Sequence, residues 1–318
     1  MGDKLFKTYR EQIEILRSRG LKVDEGAIGV LQTENYYNVI NGYKDLFLEI
    51  ASPEEKFKDG ADFDEIYALY EFDRELRFIF LKQLLKLETN IKSVIAYKFS
   101  EKYGHDNYLK LGNFDTYKNN SELQSIMAVI STLQRAISEQ SGKHNAITHY
   151  VTKYGYVPFW VLVSVLTFGN ISKFYGIMKL TDRQAVAKEF GLQENILRSY
   201  LKAMSLFRNI CAHDERLYNT KLNGVEIKAG PIHAELQICK NANGKYLQGI
   251  NDVFSLMICI KELLPQNRTA EFSEMVRIID GQLKKLSSKI HTININDILH
   301  LMGFPENWKE VELSKIQE

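Results

Sequence analysis

Proline and cysteine are scarce in this chain. Among 318 residues there are 5 prolines and 3 cysteines. So few prolines leave long helices uninterrupted, and a hydrophobic content of 45% is enough for a sizeable core, which excludes intrinsic disorder. The cysteines Cys211, Cys239 and Cys259 are odd in number and scattered, so they do not form a disulfide framework. They predict a reducing, cytoplasmic location.

The chain also lacks a net charge of one sign, because 41 Lys and Arg residues face 40 Asp and Glu residues. A protein that coats nucleic acid is more basic, so any RNA contact must come from a local patch or a shaped site. Long apolar runs are missing too. Val157–Phe168 is too short to cross a bilayer, and the opening MGDKLFKTYREQ has no signal-peptide core, so we expect no membrane association.

Common cofactor and metal motifs are absent from the sequence. It contains no Gly-x4-Gly-Lys phosphate loop, no Gly-x-Gly-x-x-Gly and no nucleophile elbow. His144 and His149 are five residues apart, which is not a helical metal-ligand spacing, and no carboxylate completes a site. We therefore expect neither a metal nor a cofactor.

Chemistry-bearing side chains are concentrated in RNICAHDERLYN (208–219), at the end of an apolar-periodic run. Histidine can transfer protons near neutral pH, and arginine can hold a phosphate through two parallel hydrogen bonds. The candidate catalytic residues are Arg208, Asn209 and His213. Arg216 and Asp214 are supporting candidates, which could position the strand or hold Arg208. An arginine and a histidine can also simply complete the C-terminus of a helix.

The spacing of these residues poses a geometric problem. On an ideal helix, positions four apart lie about 40° apart and positions five apart about 140° apart. Asn209 and His213 therefore share a face, and Arg208 points away from both. For Arg208 and His213 to act on one group, either the helix loosens near Cys211 or a second copy of the site supplies the partner.

A helix from near Asp62 to Lys102 is predicted by apolar residues at alternating steps of three and four. It would be about 60 Å long and would form the spine of a helical bundle. Asp73 and Arg77, four residues apart, are expected to pair on its surface. Glu88 either turns inward, where it would orient Arg208, or is an ordinary exposed glutamate.

Two further groups are candidates for binding RNA. Lys82 and Lys86 belong to a basic bias on the long helix, which is either a solvated face or a phosphate track. The second group is Tyr36, Tyr37 and Tyr43 with Lys44, because tyrosines beside amides can stack on bases. As an alternative, these rings fill a helical core with their hydroxyls paired, which is the more common arrangement.

Two segments carry structural predictions. Pro158 opens an apolar helix in which Trp160 is expected to lie at the buried centre of the bundle. Alternation on both sides of Asn241–Gly244 predicts a small β-hairpin over 235–247, inserted between helices.

The string RNICAHDERLYN resembles the Arg-Asn-x-Cys-Ala-His-x-x-Arg-Leu signature of the Abi-like proteins, the AbiD/AbiF group of bacterial abortive-infection proteins in the HEPN superfamily. The resemblance continues along most of the chain, in EQIEILRSRGL (11–21), NYYNVINGYKDLF (35–47), LYEFDRELR (69–77), YGYVPFWVLVSVLTFGNIS (154–172) and MGFPENW (302–308). Together with the periodicities it predicts a mainly α fold, a multi-helix bundle with an HEPN-like core. We divide it into an N-terminal helical extension (1–60), the core (61–220), and the hairpin insertion with C-terminal helices (221–318), packed as one unit.

The resemblance implies a metal-independent endoribonuclease, a toxin that defends against bacteriophage by arresting the infected cell. In that role His213 is the acid or base, Arg208 clamps the phosphate, and HEPN relatives commonly pair two such motifs across a homodimer. A second interpretation is an RNA-binding module, held or inhibited by a structured small noncoding RNA, with little catalysis of its own. A third is a protein-interaction bundle without RNA, which the near-neutral charge favours and the phosphate-binding motif disfavours.

Overall fold

A computed structural model describes residues 5–52, 54–115 and 120–313. The chain is predominantly helical, as the sequence predicts. The helices are α1 (Tyr9–Ser18), α2 (Ala27–Glu34), α3 (Phe63–Tyr103), α4 (Asn120–Gln140), α5 (Asn145–Tyr154), α6 (Phe159–Leu162), α7 (Phe168–Ile177), α8 (Leu180–Lys188), α9 (Glu194–Ala212), α10 (Pro231–Glu235), α11 (Val253–Leu263), α12 (Thr269–Ser287) and α13 (Ile295–Met302); the strands are β1 (Leu48–Ile50) and β2 (Lys56–Phe57).

The long helix α3 is the spine of the fold. It begins in a capping box, where the Asp62 carboxylate accepts from the backbone N–H of Glu65, and it ends at Gly104, whose φ of 86° suits glycine. The helices α9 and α12 pack along it, as do α6, α8 and α11. One core of buried apolar side chains runs from Ile13 in α1 to Val311 near the C-terminus. The predicted spine is therefore confirmed within a residue of each expected end.

The antiparallel pair α7 and α9 brings the motif to α3. The Tyr175 hydroxyl, in α7, donates to the carbonyl oxygen of Glu194 at the start of α9 (3.2 Å). At the other end of α9, the Arg208 side chain reaches Glu88 of α3. The helix α9 thus contacts α7 and α8 and carries the motif to the middle of the spine.

The β structure is small, as predicted, but it lies mainly elsewhere. The strands β1 and β2 pair antiparallel, with Leu48 opposite Phe57. The predicted hairpin retains its turn, with one antiparallel bridge between Lys240 and Tyr246 and a hydrogen bond from Leu247 N to Cys239 O (2.9 Å). The predicted first strand does not form, because the chain before the bridge is taken up by α10 and the turn that follows it.

The prediction for Trp160 was wrong. The helix that follows Pro158 is a single turn, α6, and Phe159 and Leu162 are its buried residues. Trp160, between them, is 52% exposed. A one-turn helix against α3 can bury only one side, so its central residue faces outward. Among the described helices, none has both the length and the apolar character needed to cross a membrane.

Candidate functional site

The motif lies at the C-terminus of α9, where the helix ends in an ordered cap. The helix is regular through Ala212, and the backbone N–H of His213 still donates to the carbonyl oxygen of Asn209 (2.9 Å). Asp214 then adopts a left-handed conformation with φ of 57°, and Glu215 N donates back to Ile210 O (3.1 Å). This is the Schellman arrangement, with Asp214 where glycine is usual. The helix does not loosen at Cys211, so Arg208 and His213 of one chain point in different directions.

Arg208 is held by a buried carboxylate of the spine. Its Nε donates to Oε2 of Glu88 (3.2 Å), and the other oxygen of Glu88 pairs with Lys92 (2.7 Å). Glu88 is buried, so the inward orientation considered from the sequence is the one that occurs. Among the described residues, the two terminal nitrogens of Arg208 have no partner. They remain available for a phosphate, while Nε fixes the plane of the group.

His213 and Asn209 are both exposed and lie on the same face, one turn apart. Neither side chain has a hydrogen-bond partner among the residues that the structure describes. An imidazole without a partner is free to give or take a proton from an approaching ligand. The amide of Asn209 borders a groove between α4, α7 and α9.

A buried polar network fixes the chain that follows the motif. The Asp73 carboxylate accepts four hydrogen bonds: from the Tyr43 hydroxyl (2.7 Å), Arg77 (2.7 Å), Leu217 N (2.9 Å) and Tyr218 N (2.7 Å). Asp73 is 0% exposed and Arg77 2%. The expected surface ion pair is therefore a core ion pair, because α3 is enclosed at this point by the chain returning from α9.

Asp214 and Arg216 have partners other than Arg208. The Asp214 carboxylate pairs with Arg77, and Arg216 donates to the carbonyl oxygen of Gly42 and pairs with Asp45 (3.5 Å). The possibility that either one holds Arg208 was wrong, since Glu88 has that position. Both residues instead tie the end of the motif to neighbouring segments of the chain.

The candidate tyrosines are separated by burial. Tyr43 is 3% exposed and stacks on Tyr218 with ring centroids 5.7 Å apart, so the core arrangement is the one it adopts. Burial raises the pKa of the Tyr36 hydroxyl, and that ring is half-buried. Tyr37 is 69% exposed. Of the three, only Tyr37 presents its full face to solvent.

The candidate lysines are likewise unequal. Lys44 pairs with Glu55 (2.5 Å), and Lys86 pairs with Glu271 of α12 (2.6 Å). These two ion pairs link separate segments of the chain, which gives Lys44 and Lys86 a structural role. Lys82 is exposed and has no ion-pair partner among the described residues.

Cys211, inside the motif, is not a nucleophile. Burial, and secondarily the charge of Asp73, raises the pKa of its thiol to about 12. At neutral pH it is a protonated apolar side chain, and the thiolate is the reactive form. Its place in the motif is explained by packing.

One cluster has the composition of a metal site: Asp62, Glu65 and His291. The hydrogen bonds of Glu65 disfavour that use. One of its oxygens accepts from the backbone N–H groups of His291 (2.5 Å) and Thr292 (2.7 Å), and the other accepts from the Thr292 hydroxyl (2.6 Å). Both oxygens are thus occupied in anchoring the loop before α13 to the start of α3.

Two surface features were not anticipated from the sequence. A groove of about 850 Å³ lies between α4, α7 and α9, lined by Lys173, Arg198, Lys202 and Asn209 among others. A second concavity, about 730 Å³, lies along α3 beside Trp160. The first had a visible signal, since Arg198, Lys202, Asn209 and His213 follow one another at intervals of four, seven and four residues.

Comparison with known proteins gives one match. The sequence profile of a family described as Abi-like protein matches residues 29–219. The matched region includes Glu88, the groove residues of α4, α7 and α9, and the whole motif, and it begins inside the segment that we assigned to the N-terminal extension. No curated protein and no solved structure shows a significant match.

Proposed function

Because this chain belongs to the Abi-like protein family, whose members are abortive-infection proteins, we propose that it is a metal-independent endoribonuclease toxin of the HEPN type. Family membership indicates a part in antiviral defence. The nuclease activity is our inference from the site. The observation that carries it is that one helix end holds both an arginine anchored by a buried carboxylate and an exposed histidine, whose ring has no hydrogen-bond partner among the described residues.

RNA contains its own nucleophile, the ribose 2′-hydroxyl, so the protein need only transfer protons and stabilise charge on the phosphate. His213 removes the proton from a ribose 2′-hydroxyl as its oxygen attacks the adjacent phosphorus. The bond from phosphorus to the 5′-oxygen breaks, and that oxygen takes a proton from a water molecule as it leaves. The products are a 2′,3′-cyclic phosphate and a 5′-hydroxyl. The terminal nitrogens of Arg208 stabilise the charge on the phosphoryl oxygens in the transition state, and Asn209 orients an oxygen or the substrate.

We further propose that the active unit is a homodimer. Arg208 and His213 diverge on a regular helix, so one chain does not present both to one phosphate. The outward face of α3 next to Glu88 offers a docking surface for the second copy: Phe78 is 58% exposed, Leu85 46%, and Trp160 beyond them 52%. Leu85 lies one turn before Glu88 on α3, and Glu88 holds Arg208, so this α3 face adjoins the Arg208 site. A second copy bound here brings its own motif to the Arg208 site.

The test is a matched pair of proteins, wild type and His213→Ala, freed of bound RNA and incubated with total RNA and EDTA. We expect cleavage by the wild type, leaving cyclic phosphate ends, and a loss of at least about a hundredfold in the variant, the usual scale of a general acid or base. Because His213 is exposed, the two proteins should unfold at the same temperature.

Two outcomes would count against the nuclease. Equal cleavage by both proteins would assign the activity to a contaminant or another residue. No cleavage by either, with an RNA that survives nuclease treatment on both, would support instead the module held by a structured noncoding RNA.

A further inference from the structure

The groove between α4, α7 and α9 is distinguished by its unpaired cations. Lys173, Arg198 and Lys202 are all exposed at its walls. Within the described chain, none of the three has an ion-pair or hydrogen-bond partner for its charged group. Most other basic side chains near the motif are engaged, as Arg208 is with Glu88 and Arg216 with Asp45. Three cations on one groove that lack ion-pair partners repel one another, and a bound anion removes that repulsion.

The cations form a line that ends at the motif. Around α9, Arg198, Lys202, Asn209 and His213 lie within about 60° of one another, and the line from Arg198 to His213 is about 22 Å long. Lys173 projects from the facing helix α7. Gly176 of α7 has no side chain to obstruct Arg198, whose Nε lies 3.7 Å from where a Cβ would be. One continuous polyanion can therefore contact these charges in succession and reach His213.

The remaining lining suits a strand with bases as well as phosphates. Apolar atoms of Ile126, Val129 and Leu206 form part of the groove, and two carboxylates, Asp115 and Glu122, lie in it with interactions of their own. Asp115 follows Phe114, which pairs with Met178 beyond the end of α7, and so it lies at the end remote from the motif. Arg198, against Gly176, begins the line of cations at this same end, and Lys202 lies between Arg198 and Asn209 along α9.

We propose that this groove binds single-stranded RNA and guides it to His213, with Lys173, Arg198 and Lys202 on the phosphates. That the strand is guided to His213 rests on the proposed nuclease function. That the groove binds RNA at all rests on the positive charge of its walls. The groove volume of about 850 Å³ is within the range of small-molecule pockets, a size that suits a few nucleotides of a single strand better than a double helix.

The test separates binding from cleavage. A fluorescent single-stranded RNA of about twelve nucleotides is titrated by anisotropy against full-length His213→Ala protein, a length in the range of known single-strand sites. The same titration is repeated with a protein that carries Arg198→Glu and Lys202→Glu in addition to His213→Ala. The matched control adds Lys188→Glu and Lys285→Glu, which change the net charge equally at exposed lysines away from the groove.

We expect the groove pair to weaken binding at least tenfold and the control pair by less than about threefold. The plot of log affinity against log salt should lose about 0.7 of its slope for each phosphate contact removed, so about 1.4 for two. Equal weakening by both pairs would overturn the assignment. So would equal binding of a duplex of the same length, or competition by polyglutamate as effective as that by RNA, which would indicate an acidic protein partner.

The same variants in the active background distinguish the two proposals. If wild type cleaves RNA and the groove variant cleaves it with unchanged kcat/KM, the groove assignment fails and the nuclease stands. If wild type does not cleave, but binding still depends on Arg198 and Lys202, the nuclease fails and the groove stands as an RNA-binding site.

Discussion

At the scale of single residues, burial separates charged side chains with similar spacing into different roles. Asp73 and Arg77 are four residues apart on α3, like many surface pairs, but both are enclosed and Asp73 satisfies four donors. Removing one partner of a buried pair leaves the other charge uncompensated. Arg208 and His213 differ in that part of each stays in contact with solvent, which is a requirement for binding a substrate.

Asp73→Ala should lower the free energy of unfolding by about 3–5 kcal/mol, because Arg77 loses its buried counter-charge and two backbone N–H groups lose their acceptor. Urea denaturation followed by circular dichroism measures the change. Arg277→Ala breaks an exposed pair on α12 and serves as the control, for which we expect no resolved change. A small effect of Asp73→Ala, equal to that of the control, would show that the network contributes little.

At the scale of elements, the end of α9 determines how the motif is presented. The left-handed residue at Asp214 reverses the chain, so that the backbone N–H groups of Leu217 and Tyr218 reach Asp73. The ion pair between Asp214 and Arg77 links the same turn to α3. A residue for which a positive φ is unfavourable at this position therefore weakens both the hydrogen bonds to Asp73 and the link to α3.

Among uncharged substitutions at Asp214, alanine should be less stable than asparagine or glycine by about 1–2 kcal/mol, the cost of the left-handed conformation for an ordinary residue. All three variants lose the negative charge next to Arg77, so the differences among them report the cost of the left-handed backbone conformation. Thermal unfolding of the three variants gives the order. Asn and Ala variants of equal stability would mean that the helix end rearranges when the ion pair is lost.

At the scale of the whole molecule, a site shared between two copies predicts a specific complementation. Arg208→Ala and His213→Ala are each expected to be inactive. When they are mixed and allowed to exchange subunits, a mixed dimer contains one site with both residues intact, so roughly one quarter of wild-type activity should return. If Arg208 and His213 act within one chain, mixing restores nothing.

The control for this mixing experiment uses the α3 face. Phe78→Glu in both variants places charges in the proposed interface and should prevent any return of activity, with the protein monomeric by light scattering. Leu247→Glu, at another exposed apolar residue, should leave the restored activity in place. Restoration despite Phe78→Glu would place the interface elsewhere.

The helices could largely be predicted from the sequence, because their signals are local. The helix α3 begins one residue from its predicted start, and the apolar period of its sequence sets its buried face. For Glu88 the sequence left two alternatives, an inward side chain beside Arg208 or an exposed one. The residues near Glu88 in the sequence do not determine which other helix packs against that face of α3. Trp160 and the hairpin show the same difficulty. An apolar residue can lie in the core or at the surface, and an alternating run can form a strand or a turn of helix.

The sequence by itself therefore determined the mainly helical fold, the spine and the place of the motif within the chain, since spacing, caps and residue type act over a few neighbouring residues. Only the tertiary structure decided that Asp73 and Arg77 are buried, that Tyr43 belongs to the core, and that Asp214 and Arg216 bind elsewhere than Arg208. It also decided that Lys173 faces Arg198 and Lys202 across a groove. These are contacts between segments distant in the chain, and they depend on how whole helices pack, which no local pattern encodes.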